Sequence, residues 1–457
     1  MSSTVRRRFE RSWFAVSALA LLACGPDDRA GVRGVPGFGA DAREDDDAGP
    51  GHEPEPLAYG VVASDRTATT IALLDPDGTM LARDFVHSGS VPAGLVTALS
   101  GDVALPTQSG ERTHLVLLDR FRTDVITRID VASGDVLAQV GTHAARGERT
   151  GGAYSSNPQD YVYIGPHEAW VSRYNPNLTV PVSDVDAGND LIAIDVAAGV
   201  RSARRIDLSA LDTVAERGNL DTGETEQVTA YARPGRIVRV GEFLVVGLSR
   251  LSRGFDAVGE GMIALVHPER GDVQGVALPG LRNCAQVAPV PGDPERVAVA
   301  CAGLLRGTFG VGAGLALVAL AGDALEVEHL LRFDDDASAA DAVFGLVALG
   351  GSAVIAVEPG HAPGQRSDSA AHGDRLYRID VATGDQRLLF EADASFVLGD
   401  GAFNSHRGTL LVPDASTDDD GRASAGVRRF AIDGDDITEL DVVAIDDVLP
   451  PWQVAPL

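Results

Sequence analysis

The sequence of 457 residues predicts an all-β fold made of seven similar units. Its composition favours short strands and turns: 44% of the residues are hydrophobic, only 5% are aromatic, and there are 52 glycines and 24 prolines. A short phrase also recurs seven times, at intervals of roughly 60 residues, and a fixed period of this size indicates a repeat architecture. The phrase consists of apolar residues, an Asp, a few small residues and a Gly, followed by another apolar run.

The seven copies of this phrase differ in clarity. They lie at 73–78, 129–135, 194–199, 266–272, 319–323, 379–385 and 431–435. The copies at 267–272 and 319–323 lack the Asp before the turn. Gly tolerates a positive φ and Asp bonds to nearby backbone, so each phrase predicts a tight turn between two strands.

Two further β-like runs precede each phrase. In the second unit they are 96–99 and 102–105, and in the fifth unit they are 287–290 and 296–300. Four short strands per period describe one blade of a β-propeller. The chain therefore reads as a seven-bladed β-propeller.

The end of the chain predicts how the ring closes. Before the first phrase there is room for only two strands, at 57–63 and 69–74. The segment that ends the sequence resembles the openings of other units. We therefore expect 452–457 to supply the inner strand of the first blade, which leaves no exposed edge between the two ends.

The repeated phrase resembles that of bacterial propellers of the YVTN and surface-layer type, whose blades carry Ile-Asp-x-x-Thr-Gly-x-Val. The resemblance covers residues 57–457, and the segments 157–164, 168–174 and 205–209 fit it further. It implies the propeller fold and indicates almost nothing about activity.

The amino terminus predicts export. Three arginines at 6–8 and the apolar run 13–23 form the basic and apolar regions of a secretory signal. That run is too short to span a bilayer comfortably. Its end, Leu21-Leu22-Ala23-Cys24, resembles the lipobox of bacterial lipoproteins. The resemblance implies a signal peptide at 1–23 and acylation of Cys24; an ordinary secretory signal or an uncleaved anchor are the alternatives.

The remaining features outline the expected location. Residue Gly25 follows Cys24 where an Asp would retain a lipoprotein in the inner membrane, which favours the outer membrane or the cell surface of a bacterial envelope. Residues 24–56 hold the lipid-attachment Cys and then an acidic, Pro- and Gly-rich stretch that predicts a disordered linker. The propeller occupies 57–457. The formal net charge of −28 opposes nucleic-acid binding and leaves the lipid anchor as the only membrane contact.

Two other cysteines are expected to pair. Cys284 and Cys301 lie 17 residues apart on two successive predicted strands. A tight turn would place them side by side, and an oxidising compartment would allow a disulfide. Free core thiols and a metal site are the alternatives.

Motifs for chemistry are scarce. All 38 basic residues are arginines, which excludes a Schiff-base lysine. The ten histidines form no zinc-protease pair, and there is no Gly-x-Ser-x-Gly elbow. We predict no cofactor. The one alternative is calcium at Asp184, Asp186 and Asp190, because hard cations prefer oxygen ligands.

Propellers usually bind ligands at one mouth of the central channel. Strand register gives candidates for that mouth, with satisfaction of inner-strand backbone as the alternative role: Asn157, Gln159, Asp160, Asn283, Gln286, Asp400, Asn404 and His406. The insertions 213–232 and 359–374 exceed a normal blade turn, and long loops on a rigid frame often carry binding.

These observations favour a monomeric, non-catalytic binding or scaffold protein of the cell envelope, with an envelope protein or a glycan as its partner. The alternative is a propeller enzyme that acts through a metal at the channel mouth, as lactonases and quinoproteins do.

Overall fold

The computed structural model describes residues 32–39, 54–143, 154–179, 186–218, 224–303, 311–333, 342–360, 372–416 and 425–457. The expected signal peptide at 1–23 and Cys24 lie outside these residues. In the described part of the chain the secondary structure is almost entirely β, with one 3-10 turn at Ser209–Leu211. Across the same residues we find no helix with the length and apolar character needed to cross a membrane.

The strands are short and follow one another closely along the chain. The first half comprises β1 (Tyr59–Ser64), β2 (Thr69–Leu74), β3 (Met80–His87), β4 (Val103–Ala104), β5 (His114–Asp119), β6 (Val125–Asp130), β7 (Val136–Gly141), β8 (Pro158–Gly165), β9 (Glu168–Pro176), β10 (Gly188–Asp195), β11 (Val200–Asp207), β12 (Thr213–Gly218), β13 (Thr225–Tyr231), β14 (Pro234–Val240), β15 (Phe243–Leu248) and β16 (Leu251–Ser252). The second half comprises β17 (Gly261–His267), β18 (Asp272–Leu278), β19 (Gln286–Val290), β20 (Asp293–Ala302), β21 (Ala313–Ala321), β22 (Ala324–Arg332), β23 (Gly345–Gly350), β24 (Ala353–Glu358), β25 (Arg375–Asp380), β26 (Gln386–Glu391), β27 (Ala402–Asn404), β28 (Thr409–Asp414), β29 (Gly426–Asp433), β30 (Asp436–Ala444) and β31 (Pro451–Pro456).

These strands form seven four-stranded antiparallel sheets and one three-stranded sheet. In spatial order, sheet 1 is β31-β1-β2-β3, sheet 2 is β4 to β7, sheet 3 is β8 to β11, sheet 4 is β14-β15-β17-β18, sheet 5 is β19 to β22, sheet 6 is β23 to β26, and sheet 7 is β27 to β30. Repeated four-stranded antiparallel sheets are the architecture of β-propellers. The first strand of each sheet is called its inner strand here, because these strands contact one another: β14 contacts β8 and β19, β19 contacts β23, and β27 contacts β31.

Each copy of the repeated phrase lies at the turn between the last two strands of a sheet. The Asp explains why. Oδ1 of Asp130 accepts the amide of Ser133 at 2.7 Å, and Oδ1 of Asp380 accepts that of Thr383 at 2.9 Å. Gly134 follows in a left-handed conformation with φ of 78°, which a side chain would strain. The recurring acidic residue is therefore a turn former.

Because neighbouring strands run in opposite directions, the connections between strands lie at two opposite edges of each sheet. In an antiparallel sheet of consecutive strands, the turn from the first to the second strand lies at the same edge as the turn from the third to the fourth. We call this the repeat edge, because it carries the phrases. The connections between second and third strands lie at the opposite edge.

The core lies between neighbouring sheets. One cluster joins sheets 4 and 5 through Val245, Ile263, Val299 and other buried residues. Cys284 and Cys301 form a disulfide inside this cluster, which ties the segment before β19 to β20.

The C-terminal strand lies beside the first strand of the chain. In this antiparallel pairing Val454 is opposite Val61 and Pro456 is opposite Tyr59. Val454 and Ala455 are buried. Sheet 1 therefore combines strands from the two ends of the described chain.

Two strand predictions differ from the structure in sheet 2. Residues 96–99 form no strand, because the side-chain oxygen of Gln139 accepts the amides of Val96 and Thr97 at 2.7 and 2.8 Å. The predicted strand 102–105 shortens to β4, because the amide of Leu105 donates to the side chain of Gln453 at 2.8 Å.

The insertions expected at 213–232 and 359–374 are described to different extents. The first forms the hairpin β12–β13, which pairs with β16 as the three-stranded sheet. Most of the second, 361–371, lies outside the described residues.

Candidate functional site

A cavity of about 840 Å³ lies among the inner strands and opens at the repeat edge. Its wall contains the first turns of several sheets, including Gln108, Gly241, Gly292 and Ser405, together with the end of β31 at Pro456. The inner strands of different sheets therefore converge on one space, and we call it the inner-strand cavity.

Arg236 and Asp400 form a charged pair in this cavity. Nη2 of Arg236 lies 2.8 Å from Oδ2 of Asp400, and the two side chains are 10% and 27% exposed. Nη1 of Arg236 also donates to the carbonyl of Leu105 at 3.1 Å. Gln453 meets the same backbone, with its Nε2 donating to that carbonyl at 2.9 Å. Groups from sheets 1, 2, 4 and 7 are thus joined at the wall of the cavity.

Asp160 lies behind the cavity wall and bonds to the backbone of two neighbouring sheets. Its carboxylate is fully buried and accepts the amides of Thr107 at 2.9 Å and Ile237 at 2.8 Å. Burial raises the pKa of Asp160, while the nearby charge of Arg236 opposes that rise. Asp160 therefore ties sheets 2, 3 and 4 together rather than facing a ligand.

Arginines outnumber carboxylates in the cavity wall. The charged residues that line it are Arg112, Arg236, Arg239, Arg296, Asp293 and Asp400, with His406 as the one histidine among the lining residues. Arg296 is paired with Asp293 at 3.2 Å and with Glu328 at 2.7 Å. Arg239 donates to two backbone carbonyls, those of Gly241 at 3.0 Å and Ile164 at 3.2 Å. Carboxylates therefore offset the charges of Arg236 and Arg296, whereas the Arg239 side chain donates to carbonyl oxygens and keeps its charge available to an anion.

Part of the expected linker lies at this cavity. Pro54 and Pro56 line it, and the Glu55 carboxylate accepts Nε of Arg407 at 2.6 Å and Nδ2 of Asn404 at 3.3 Å. Although burial works against it, the hydrogen bond from Arg407 keeps the pKa of Glu55 below its usual value. Further upstream, the amide of Val35 donates to the carbonyl of Val131 at 2.8 Å, so residues 32–39 also lie on the repeat edge.

Three of the residues expected at the channel mouth line the cavity: Gln286, Asp400 and His406. Asp160 lies directly behind its wall. These four come from sheets 3, 5 and 7, and the structure brings them to one region.

The other four candidates bond to surrounding residues of the protein. The backbone amide of Asn157 donates to the Asp124 carboxylate at 2.8 Å, and Gln159 donates its side-chain amide to the carbonyl of Asn157 at 3.1 Å. Asn283 donates to the carbonyl of Gly303 at 3.3 Å. Asn404 accepts the amide of His406 at 3.0 Å. None of these four is among the residues that line the cavity.

Sequence reasoning missed Arg236, Arg239 and Gln453. A signal was present for the first two: the stretch 233–239 reads Arg-Pro-Gly-Arg-Ile-Val-Arg and concentrates three arginines within seven residues. Gln453 lay in the expected closing strand, but nothing local distinguished it from a surface residue.

The structure describes two of the three acids of the calcium candidate. Asp184 lies outside the described residues. The buried carboxylate of Asp190 accepts Nε of Arg173 at 2.7 Å and is also paired with Arg205. Asp186 is buried. Within the described ranges, no group of three or more His, Cys, Asp or Glu is placed to hold a metal ion. The donor set expected for a channel-mouth metal is thus not found in this part of the chain.

Comparison with known proteins supports the fold. No protein-family model matches this sequence, and no curated protein is similar to it. A solved structure from Bacteroides fragilis, provisionally assigned as a 6-phosphogluconolactonase, matches with a TM-score of 0.51 at 10% identity, covering 89% of this chain and 100% of that one. A periplasmic gluconolactonase from Pseudomonas aeruginosa matches with a TM-score of 0.47 at 13% identity, covering 87% and 98%. A dihydro-heme d1 dehydrogenase matches at 0.45 and 13%, covering 90% and 77%.

These likenesses are to β-propeller proteins and correct the main functional expectation. A non-catalytic binding or scaffold protein is the wrong reading, since the matching structure with a TM-score of 0.51 is described as a provisional lactonase. That match favours the alternative of a propeller enzyme. The prediction failed because the repeat residues carry the fold and no local motif marks the cavity.

Proposed function

We propose that this protein is a propeller enzyme that binds a small anionic substrate in the inner-strand cavity and hydrolyses a lactone or a related ester. The observation that carries the proposal is the excess of arginines over carboxylates in a cavity of about 840 Å³, within a chain of net charge −28. The reaction class is supported by the name of the Bacteroides fragilis protein with this fold, a provisional 6-phosphogluconolactonase.

The lining residues suit this reaction. In lactone hydrolysis, water adds to the carbonyl carbon, the ring C–O bond breaks, and the product is a hydroxy acid. A base must take the proton of the water, and imidazole and carboxylate side chains commonly do so. His406 and Asp400 are the candidates for that role. The negative charge that develops on the carbonyl oxygen needs a fixed donor, and Arg236 is the candidate for it.

The test uses the full chain, purified and offered one anionic and one neutral substrate. Hydrolysis of 6-phosphogluconolactone and of gluconolactone is followed by acid release in a pH-stat. We expect faster turnover of the phosphorylated lactone and a large loss of kcat in H406A. The matched control is R387A, which removes an exposed arginine that bonds to the carbonyl of Asp435 outside the cavity. Absence of hydrolysis by the folded wild-type chain would contradict the proposal.

We also propose that the seven four-stranded sheets are the blades of one closed propeller, with β31 as the inner strand of the first. The pairing of Val454 with Val61 supports this. The similarity of the repeated phrase to the YVTN type is part of the same proposal.

We propose further that the enzyme is an exported, monomeric lipoprotein of the bacterial envelope. The apolar run that ends at Cys24 supports this, as does the Cys284–Cys301 disulfide, because disulfides persist in oxidising compartments. Metabolic labelling with a radioactive fatty acid tests the anchor: the wild-type chain should incorporate label and C24S should not.

A further inference from the structure

We propose that residues 54–56 form a movable wall of the inner-strand cavity, and that a clamp made by Glu55, Asn404 and Arg407 controls entry to it. We call these three residues the Glu55 clamp. Entry control concerns the cavity itself and does not depend on which reaction takes place there.

The contacts place the segment across the mouth. Arg407, in the first turn of sheet 7, holds the Glu55 carboxylate at 2.6 Å. On the other side, Nη2 of Arg112 donates to the backbone carbonyl of Glu55 at 2.8 Å, and Arg112 belongs to sheet 2. Sheet 1 lies between these two sheets. The segment therefore spans sheet 1 at the repeat edge, with Pro54 and Pro56 among the lining residues.

The clamp is also connected to sheet 1. Nη1 of Arg407 lies 3.0 Å from Oδ1 of Asp77, in the first copy of the repeated phrase. Asn404 donates to the carbonyl of Pro76 at 3.4 Å. Arg407 therefore connects residues 54–56 to a tight turn of sheet 1. While Glu55 is bound to Arg407, these residues are held in place.

The exposures explain why this wall can move. The side chains of Glu55 and Arg407 are 29% and 46% exposed, whereas Arg236 deeper in the cavity is 10% exposed. Ion pairs that face solvent stabilise a structure only weakly. The mouth is thus held by a weak interaction, while the interior is held by a buried one.

The experiment measures access to the cavity directly. Gln286 lines the cavity, and Q286C in a C24S background supplies one free thiol, because Cys284 and Cys301 are paired. The rate of modification by a bulky maleimide is compared among the full-length wild-type background, E55A and R407A. We expect both clamp variants to raise this rate by about two- to fivefold, the factor that corresponds to an exposed ion pair.

Two controls make the outcome decisive. D435A removes the exposed carboxylate that pairs with Arg378, away from the cavity, and should leave the rate unchanged. Thr438 is exposed on β30, the last strand of sheet 7. The thiol introduced by T438C should react equally in every background. Equal rates in E55A, R407A and D435A would overturn the proposal. So would a parallel rise at T438C, because that would indicate general loosening. Absence of lactone hydrolysis by the wild-type chain, with thiol access raised in both clamp variants, would count against the proposed function alone.

Discussion

The guanidinium of Arg236 lies 2.8 Å from the carboxylate of Asp400, although 164 residues separate them in the chain. One belongs to the inner strand of sheet 4 and the other precedes the inner strand of sheet 7. Arg236 also donates to the carbonyl of Leu105 in sheet 2. A single side chain therefore links parts of the molecule that are distant along the chain.

Removal of this arginine should destabilise the fold. In R236A the Asp400 carboxylate loses its ion pair, the Leu105 carbonyl keeps only the donor from Gln453, and breaking a largely buried ion pair costs about 3 kcal/mol. Urea unfolding followed by circular dichroism measures the change. R387A, at an exposed site, should fall within about 0.5 kcal/mol of the wild type. Equal midpoints for the two variants would show that the pair contributes nothing to stability.

The C-terminal strand should be required for full stability. Val454 is 2% exposed and Val448 is 79% exposed, so the same Val-to-Ala change can be compared at a buried and at an exposed position. We expect V454A to lower the free energy of unfolding by about 2 kcal/mol through lost apolar burial and the cavity left behind. V448A should have little effect. Thermal melts of the two variants, and of a chain that lacks residues 451–457, provide the measurement. An unchanged melting temperature in the shortened chain would argue against β31 as a structural strand.

Asp380, in the sixth copy of the repeated phrase, should make stability depend on pH. Burial works against ionisation of Asp380, but hydrogen bonds from the Thr383 amide and the Ser352 hydroxyl outweigh it and lower the pKa of Asp380 below its ordinary 3.8. A lowered folded-state pKa stabilises the fold above the unfolded value, and that contribution is lost as pH falls through the folded value. The wild type should therefore exceed D380N in free energy of unfolding at neutral pH, and the difference should shrink below pH 3.8. Urea unfolding across this range tests the sign; a difference that grows in acid would contradict it.

The disulfide should stabilise the junction between sheets 4 and 5. Cys284 and Cys301 are 17 residues apart, and a closed loop of this size stabilises by about 3 kcal/mol in the chain-entropy treatment. C284A combined with C301A should unfold at correspondingly lower denaturant concentration. Thiol titration of unreduced, denatured C24S protein should find no free thiol, whereas two free thiols would show that the bond does not form.

Arg239 should recognise the charged group of the substrate. Its loss should raise KM for the phosphorylated lactone about tenfold, since a hydrogen bond to a charged group is worth about 1.5 kcal/mol or more. KM for neutral gluconolactone should change little. Steady-state kinetics of R239A with both substrates make the comparison, and an equal rise for both would assign Arg239 a structural role.

The repeat could be predicted from the sequence because its chemistry is local. Asp130 and Gly134 determine a turn through bonds within a few residues, so their spacing is visible in the chain. Residues 96–99 have an equally β-like pattern, but the side chain of Gln139, distant in the sequence, accepts the amides of Val96 and Thr97. The alternation of apolar residues does not show that a side chain distant in the sequence will bond to the amides that a neighbouring strand would need.

The cavity was harder to predict because it depends on three-dimensional assembly. Asp400 and Gln286 were found through strand register, but Arg236 and Gln453 acquire their roles only when four sheets meet. Asn283 resembled a ligand group, but its side-chain amide bonds to the backbone carbonyl of Gly303, and Asn283 also adopts a positive φ. Residue type alone does not distinguish these two uses of an amide.

The pairing of β31 with β1 also affects the order in which the protein can mature. Residues 59–64 leave the ribosome early, but their partner, 451–456, is synthesised almost 400 residues later. Until then β1 presents an unpaired strand edge, which is a template for pairing with another chain. A polypeptide released before its last strand would carry that edge permanently. Synthesis must therefore deliver residues 451–456 before folding is finished, and prematurely terminated products are prone to aggregate.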